Sequence, residues 1–214
     1  MKRILYCFML AAGFSLLVGT AVFAGTTGTG VFGATDLMVT PTPQTLSPGT
    51  LSLSASFREG GVSYFNADLG LAEDLEVGLT AAAFPAETNL SLRGKYRILR
   101  ENGDNPGLAV GVEDISSGDI SPYLVLQKTF SQAGIQGYLG FGGGDFNGLF
   151  GGVCKNFTFA KQKGNAMKNM ELYVEADSRR VNAGARLGIG SRVQLNFGVL
   201  DMRDWMLGVR FAIK

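Results

Sequence analysis

Three basic residues, Arg93, Lys95 and Arg97, recur at alternate positions of "NLSLRGKYRIL", and Glu171, Glu175 and Asp177 share one parity in "MELYVEAD". Side chains two apart in an extended chain point to the same side, so each set forms a row of one charge. A basic row can contact an acidic polymer, and a carboxylate pair such as Glu171 and Glu175 is the equipment of sugar hydrolysis. Two further stretches have chemical readings. "GGVCKNF" sets Cys154 beside Lys155, a cation that would favour the thiolate. "GYLGFGGGD", at 137–145, has the glycine density of a phosphate loop. Neither is completed. The chain has no histidine to act as base or metal ligand, and no Lys-Ser/Thr pair or helical pattern follows the glycines. The sequence therefore predicts no enzyme, no cofactor and no metal site, and it gives Cys154 a structural, unreactive role, packed or facing lipid.

The elements that must carry these residues are strands. Beyond residue 25 the apolar period is 2 almost everywhere, with segments near 49–57, 62–71, 74–83, 88–99, 107–114, 120–130, 134–142, 146–155, 169–178, 180–189, 191–199 and 204–213. Turn signals such as "REGG", "ENGDNPG", "GGGD" and "GSR" separate them. Each strand has an apolar and a polar face. Leu51, Leu53 and Phe57 oppose Ser52, Ser54 and Ser56; Leu90, Leu92, Tyr96 and Ile98 oppose the basic row; Trp205, Leu207, Val209 and Phe211 oppose Arg210.

Charged residues make up only 17% of the 214, and 31 are glycine. With 19 basic and 18 acidic residues the charge is near zero, which excludes a nucleic-acid footprint. "MKRILYCFMLAAGFSLLVGTAVFA" reads as a signal peptide of residues 1–24: Lys2 and Arg3, an apolar core, then small residues. Its removal takes two basic residues and no acidic one, leaving 17 against 18, and leaves Cys154 as the single cysteine. Residues 25–48 are a lead-in without periodicity, and 49–214 form one β domain.

Two architectures bury opposite faces of such strands. A secreted soluble β-sandwich that binds carbohydrate or a partner protein would hide the leucines from water. An antiparallel up-and-down transmembrane β-barrel would show them to lipid. About twelve even strands, close to the 9–11 residues of a tilted membrane strand and continuing as hairpins to the end, predict the barrel in the outer membrane. Its partners are then outer-membrane lipid and the barrel-assembly machinery. Phe57, Phe84, Phe130, Phe157 and Trp205 near strand ends suit interfacial girdles. The polar faces bring Arg93, Lys95, Arg97, Arg186, Arg192 and Arg210 against Asp68, Glu76, Glu113, Glu171, Glu175 and Asp177 in the lumen, where they order the wall or contact an acidic polymer. Hairpin alternation from a periplasmic N-terminus sends the longer loops "RENGDNP" and "FTFAKQKGNAMK" to the periplasmic side.

Thr40, Pro41, Thr42 and then Gly49, Thr50, Leu51 form a lead-in into the first strand. "LAVGVED" at 108–114 runs through Gly118 into Tyr123, Leu124, Val125 and Lys128. With "LEVGL" at 75–79, these motifs resemble the YjbH-type outer-membrane proteins associated with exopolysaccharide production, over roughly residues 36–145. The resemblance implies a barrel that supports export or surface display of polysaccharide. Family members are commonly longer, often carry a glutamate where Pro122 stands, and barrels usually end on an aromatic residue, whereas Ala, Ile and Lys follow Phe211 here.

Overall fold

The computed structural model describes residues 33–116, 120–159 and 166–214; the signal-peptide reading of 1–24 lies outside them. Twelve strands follow in order: β1 (Leu51–Arg58), β2 (Val62–Ala72), β3 (Leu75–Ala83), β4 (Thr88–Leu99), β5 (Gly107–Glu113), β6 (Ser121–Phe130), β7 (Ile135–Gly142), β8 (Gly148–Thr158), β9 (Met167–Ala176), β10 (Val181–Ile189), β11 (Val193–Leu200) and β12 (Asp204–Ile213). Each pairs antiparallel with its sequence neighbours. β1 also pairs with β12, from Leu51 opposite Ile213 to Arg58 opposite Met206, so the sheet closes into a barrel. Closure gives every strand two partners and leaves no row of backbone N–H and C=O groups facing outward.

Exposure decides which face is which. Leu92 (48%), Leu139 (59%) and Leu172 (43%) lie open on the outside, whereas Asp68 and Arg210 (both 0%) and Glu171 (2%) are enclosed. An outer surface of leucine, valine and phenylalanine around an ionised interior suits hydrocarbon as solvent, and the soluble sandwich is set aside. Aromatic residues mark both ends of the band. Phe57, Phe84 and Trp205 lie at the rim opposite the chain ends, with Phe57 edge-on to Phe65 at 6.3 Å; Phe130 and Phe157 lie at the other. Leu195, near the middle of β11 and 41% exposed, is a test of this sidedness. Leu195→Arg is expected to cost about 2–4 kcal/mol in denaturant titrations of the refolded protein in vesicles. An unchanged unfolding midpoint would contradict a lipid-facing Leu195.

The rim where the chain enters β1 and leaves β12, here the terminal rim, also carries the connection at 100–106, the end of β8 and the start of β9. Two strand ends differ from the periodic reading. β9 stops at Ala176 because the Asp177 carboxylate accepts the N–H groups of Arg179 (2.7 Å) and Arg180 (2.8 Å), so Asp177 shapes the turn at the strand's end. β11 starts at Val193, leaving Arg192 half-buried in the preceding turn, where its carbonyl accepts the Ala212 N–H at 3.0 Å. The strand expected at 146–155 runs instead from Gly148 to Thr158, after a 3-10 turn at Gly144–Phe146 that tucks Phe146 inside.

Candidate functional site: the lumen and its plug

Residues 34–46 lie inside the barrel. Ala34, Thr35, Asp36, Leu37, Met38 and Thr40 are each no more than 2% exposed. The segment doubles back on itself. Its bend is closed by the Leu37 N–H on the Thr40 carbonyl (2.9 Å), and the Thr42 hydroxyl bonds the Thr35 carbonyl across the two arms. Pro41 and Pro43 lack N–H donors, and this stretch takes no place in the strand ladder. A buried segment without a ladder must find its backbone partners among side chains.

The wall supplies them. Glu175 accepts the N–H groups of Met38 (3.0 Å), Val39 (2.8 Å) and Thr40 (3.1 Å), the Thr40 hydroxyl (2.8 Å) and Asn182 Nδ2 (2.8 Å). Glu76 accepts the Thr35 hydroxyl (3.0 Å) and the Leu46 N–H (2.8 Å). Lys95 Nζ donates to Asp36 Oδ1 (2.8 Å), Thr35 Oγ1 (2.5 Å) and the Thr42 carbonyl (3.3 Å). Arg186 Nη2 donates to the carbonyls of Asp36 (2.5 Å) and Leu37, and Nη1 to Glu171 Oε2 (3.1 Å), with the guanidinium 4.6 Å from the Tyr173 ring centre. Two carboxylates and two cations from four different strands thus grip one hairpin. Between them Leu37, Met38 and Val39 pack on lumen-facing Tyr64, Cys154, Tyr173, Leu200 and Met206. Gly198 on β11 leaves the space that the Met38 methyl occupies, since a Cβ there would meet it.

A second set of charges braces the wall itself. Asp68, Gly78 and Arg93 stand in register on β2, β3 and β4. Arg93 crosses above Gly78 to pair with Asp68 and Thr80, a route that any side chain at 78 would block, its Cβ falling 2.6 Å from Arg93 Nε. Thr80 continues to Asn66 (2.7 Å) and Asn66 to Ser54 (3.0 Å). Arg210 is fully buried and donates to Ser52 at 2.8 Å. On the remaining side Phe146 lies edge-on to Tyr123 and tilted against Phe150, each at 5.1 Å centre to centre, in a buried aromatic cluster.

Open space remains at both ends. A cavity of about 870 Å³ at the terminal rim is lined by Gln44, Leu46, Asp74, Arg97, Glu101 and Gln127 among others, and one of about 700 Å³ at the opposite rim by Tyr64, Thr80, Asn89 and Asp114. Arg97, expected deeper in the lumen, is half-buried at the terminal mouth, bonded to Asp74 at 2.6 Å. Arg100 adds a second clamp on Asp74 at 2.9 Å, and these two guanidinium contacts hold the Asp74 carboxyl below the usual carboxylate range. The corner's stability is therefore fully present above the unfolded-state pKa of about 3.9 and is lost as pH falls through the lower folded value. Acid is expected to loosen this corner, read as faster peptic cleavage between Glu73 and Gly107, and Asp74→Asn to give faster tryptic cleavage at Arg100 already at neutral pH. Equal cleavage of both proteins at all pH values would refute the clamp.

Of the residues singled out in the sequence, Asp68, Glu76, Arg93, Lys95, Glu113, Glu171, Glu175, Arg186 and Arg210 lie buried in the lumen, Arg97 at its mouth, and Asp177 and Arg192 in turns. Glu171 and Glu175, on one face of β9, take different partners: Glu171 bonds Arg186, and Glu175 caps the plug. Cys154 is 2% exposed beneath the plug. The plug residues Thr35, Asp36 and Thr40 were not legible as site residues, although lumen-side Leu200 and Met206, apolar on an otherwise polar face, signal that something apolar covers them.

A closed barrel of antiparallel strands, apolar outside and ionised inside, defines an outer-membrane β-barrel. The KdgM porin superposes on it with a TM-score of 0.56 and 11% identity, covering 76% of this chain and 98% of that one. The KdgM porin in complex with disordered oligogalacturonate gives 0.55, with the same identity and coverage. The Acinetobacter baumannii outer membrane protein Omp33 gives 0.47 at 7% identity, over 77% and 96% of the two chains. No family model and no curated protein matches the sequence.

Proposed function

We propose that this protein is a non-enzymatic outer-membrane barrel held shut by its own N-terminal segment, and that it serves the export or surface display of a polysaccharide. One observation carries the proposal: residues 34–46 fill the bore between the two end cavities and are bonded to wall residues Glu76, Lys95, Glu175 and Arg186. Two facts support the polysaccharide. The Thr40-Pro41-Thr42 and Gly49-Thr50-Leu51 motifs of the YjbH-type resemblance lie in the plug and at its root, and a barrel of similar fold, KdgM, has been observed with an oligogalacturonate. A plug built into the chain suits a pathway that opens only when cargo is engaged, since an unguarded pore would leak small solutes.

In planar lipid bilayers the full chain is expected to conduct weakly or not at all, and the variant lacking residues 34–46 to form a steady open pore. With five wall carboxylates (Asp68, Glu76, Glu113, Glu171, Glu175) against four wall cations (Arg93, Lys95, Arg186, Arg210), that pore is expected to be only weakly cation-selective. Full-chain conductance equal to that of the deletion variant would overturn the closed-barrel reading.

A further inference from the structure

We infer that the plug occupies a saccharide subsite of the lumen, formed by Glu76, Lys95, Glu175 and Arg186, whose ligand is a sugar unit bearing a carboxylate and hydroxyls, of the uronate type. The inference rests on the reading of this protein as a plugged, polysaccharide-handling barrel. Its ground is the chemistry of the groups that the plug presents. Asp36 offers a carboxylate to Lys95, Thr35 offers a hydroxyl to Glu76 and Lys95 together, Thr40 offers a hydroxyl to Glu175, and the Asp36 carbonyl offers an acceptor to Arg186. Carboxylate, hydroxyls and a neutral oxygen acceptor are the groups of an acidic sugar. The wall meets each of them with charge-assisted hydrogen bonds, the strong kind.

The hairpin is also built to be separable. None of residues 34–46 belongs to a strand, and all twelve strand pairings close without it. It hangs from a root at 47–50, where Gly49 at φ +74 makes the bend and is held by its own N–H on the Gly70 carbonyl (2.8 Å). Withdrawal would therefore break side-chain contacts and leave the sheet intact. Beside the plug, buried Arg186 Nε and Glu171 Oε1 have no protein hydrogen-bond partner among the described residues, so the wall holds more capacity for polar ligand atoms than the plug uses. Plug and sugar then compete for one set of groups, which makes the ligand itself the opener.

Native Cys154 reports on this without substitution, because it lies under Leu37 and Met38 in the same cluster. In proteoliposomes, alkylation of Cys154 by a water-soluble maleimide, read by peptide mapping, is expected to accelerate several-fold with tri-galacturonate. Maltotriose should need a concentration about tenfold higher for the same effect, the difference that one charge-assisted contact makes. Tricarballylate, anionic but not a sugar, should leave the rate unchanged. Equal action of tri-galacturonate and maltotriose, or of tri-galacturonate and tricarballylate, would overturn the inference, as would no effect of tri-galacturonate.

The variant lacking residues 34–46 separates this failure from that of the closed-barrel reading. Its current should be blocked by tri-galacturonate at about one-tenth the concentration required of maltotriose, a preference removed by Lys95→Met with Arg186→Met. A conducting variant blocked equally by both sugars sinks the subsite and leaves the plug standing, whereas a folded variant that does not conduct sinks both. If the deletion does not fold, the Cys154 measurement on the full chain decides.

Discussion

Glu175→Ala is expected to open the barrel without unfolding it. The carboxylate accepts five hydrogen bonds, three of them from consecutive backbone N–H groups of the plug's bend. Alanine leaves those three donors buried with nothing to receive them, at about 1–3 kcal/mol each. Every 1.4 kcal/mol is about a factor of ten in an equilibrium, so loss of all three bonds raises the open fraction by at least about a hundredfold. The strand ladder contains none of these contacts, so the slow-migrating folded band on an unboiled gel should persist while bilayer recordings show open events. Glu175→Gln keeps one acceptor oxygen and should fall between the two. A Glu175→Ala protein that stays closed, or that loses the folded band before it conducts, would show that Glu175 braces the wall and does not latch the plug.

Arg93→Met is expected to do the reverse, destabilising the barrel and leaving the plug seated. Asp68 is 0% exposed and takes its ion pair from Arg93 alone among the described residues. Breaking a buried pair by removing one partner costs about 3–5 kcal/mol, because the remaining charge is uncompensated. Neither residue has a hydrogen bond to residues 34–46 among those described, so the closed state should survive. The double variant Arg93→Met with Asp68→Leu removes both charges and should recover most of the loss, since replacing a whole buried pair by apolar residues is often neutral. Urea midpoints in vesicles read all three proteins. A single variant as stable as the wild type, or a double variant worse than the single, would refute the bridge across Gly78.

The alternation of apolar and polar residues determined most of the barrel before any coordinate. Period 2 is a local property, written in stretches such as "TLSLSASF" and "RVQLNFGV", so it sorted Leu53 from Ser54 and Leu195 from Gln194 and set the number of strands at about twelve. It could not say whether the leucine face met lipid or a protein core; closure leaves one face inside, and the burial of Asp68 and Arg210 against the exposure of Leu92, Leu139 and Leu172 decided which. Strand ends were also beyond it, since whether Asp177 and Arg192 fall in a strand or in a turn depends on where a side chain captures the backbone.

The pairing of charges came from tertiary structure alone. Glu76 and Lys95 stand opposite each other on β3 and β4, the obvious partners by register. Instead Lys95 bonds Asp36, and Glu76 bonds Thr35 and Leu46, because the plug comes between them. Residues 33–46 have no period to read, and the groups they bond lie 30 to 150 positions away along the chain. Local sequence fixes which way a strand residue points; only the closed barrel fixes what a non-periodic segment inside it will touch.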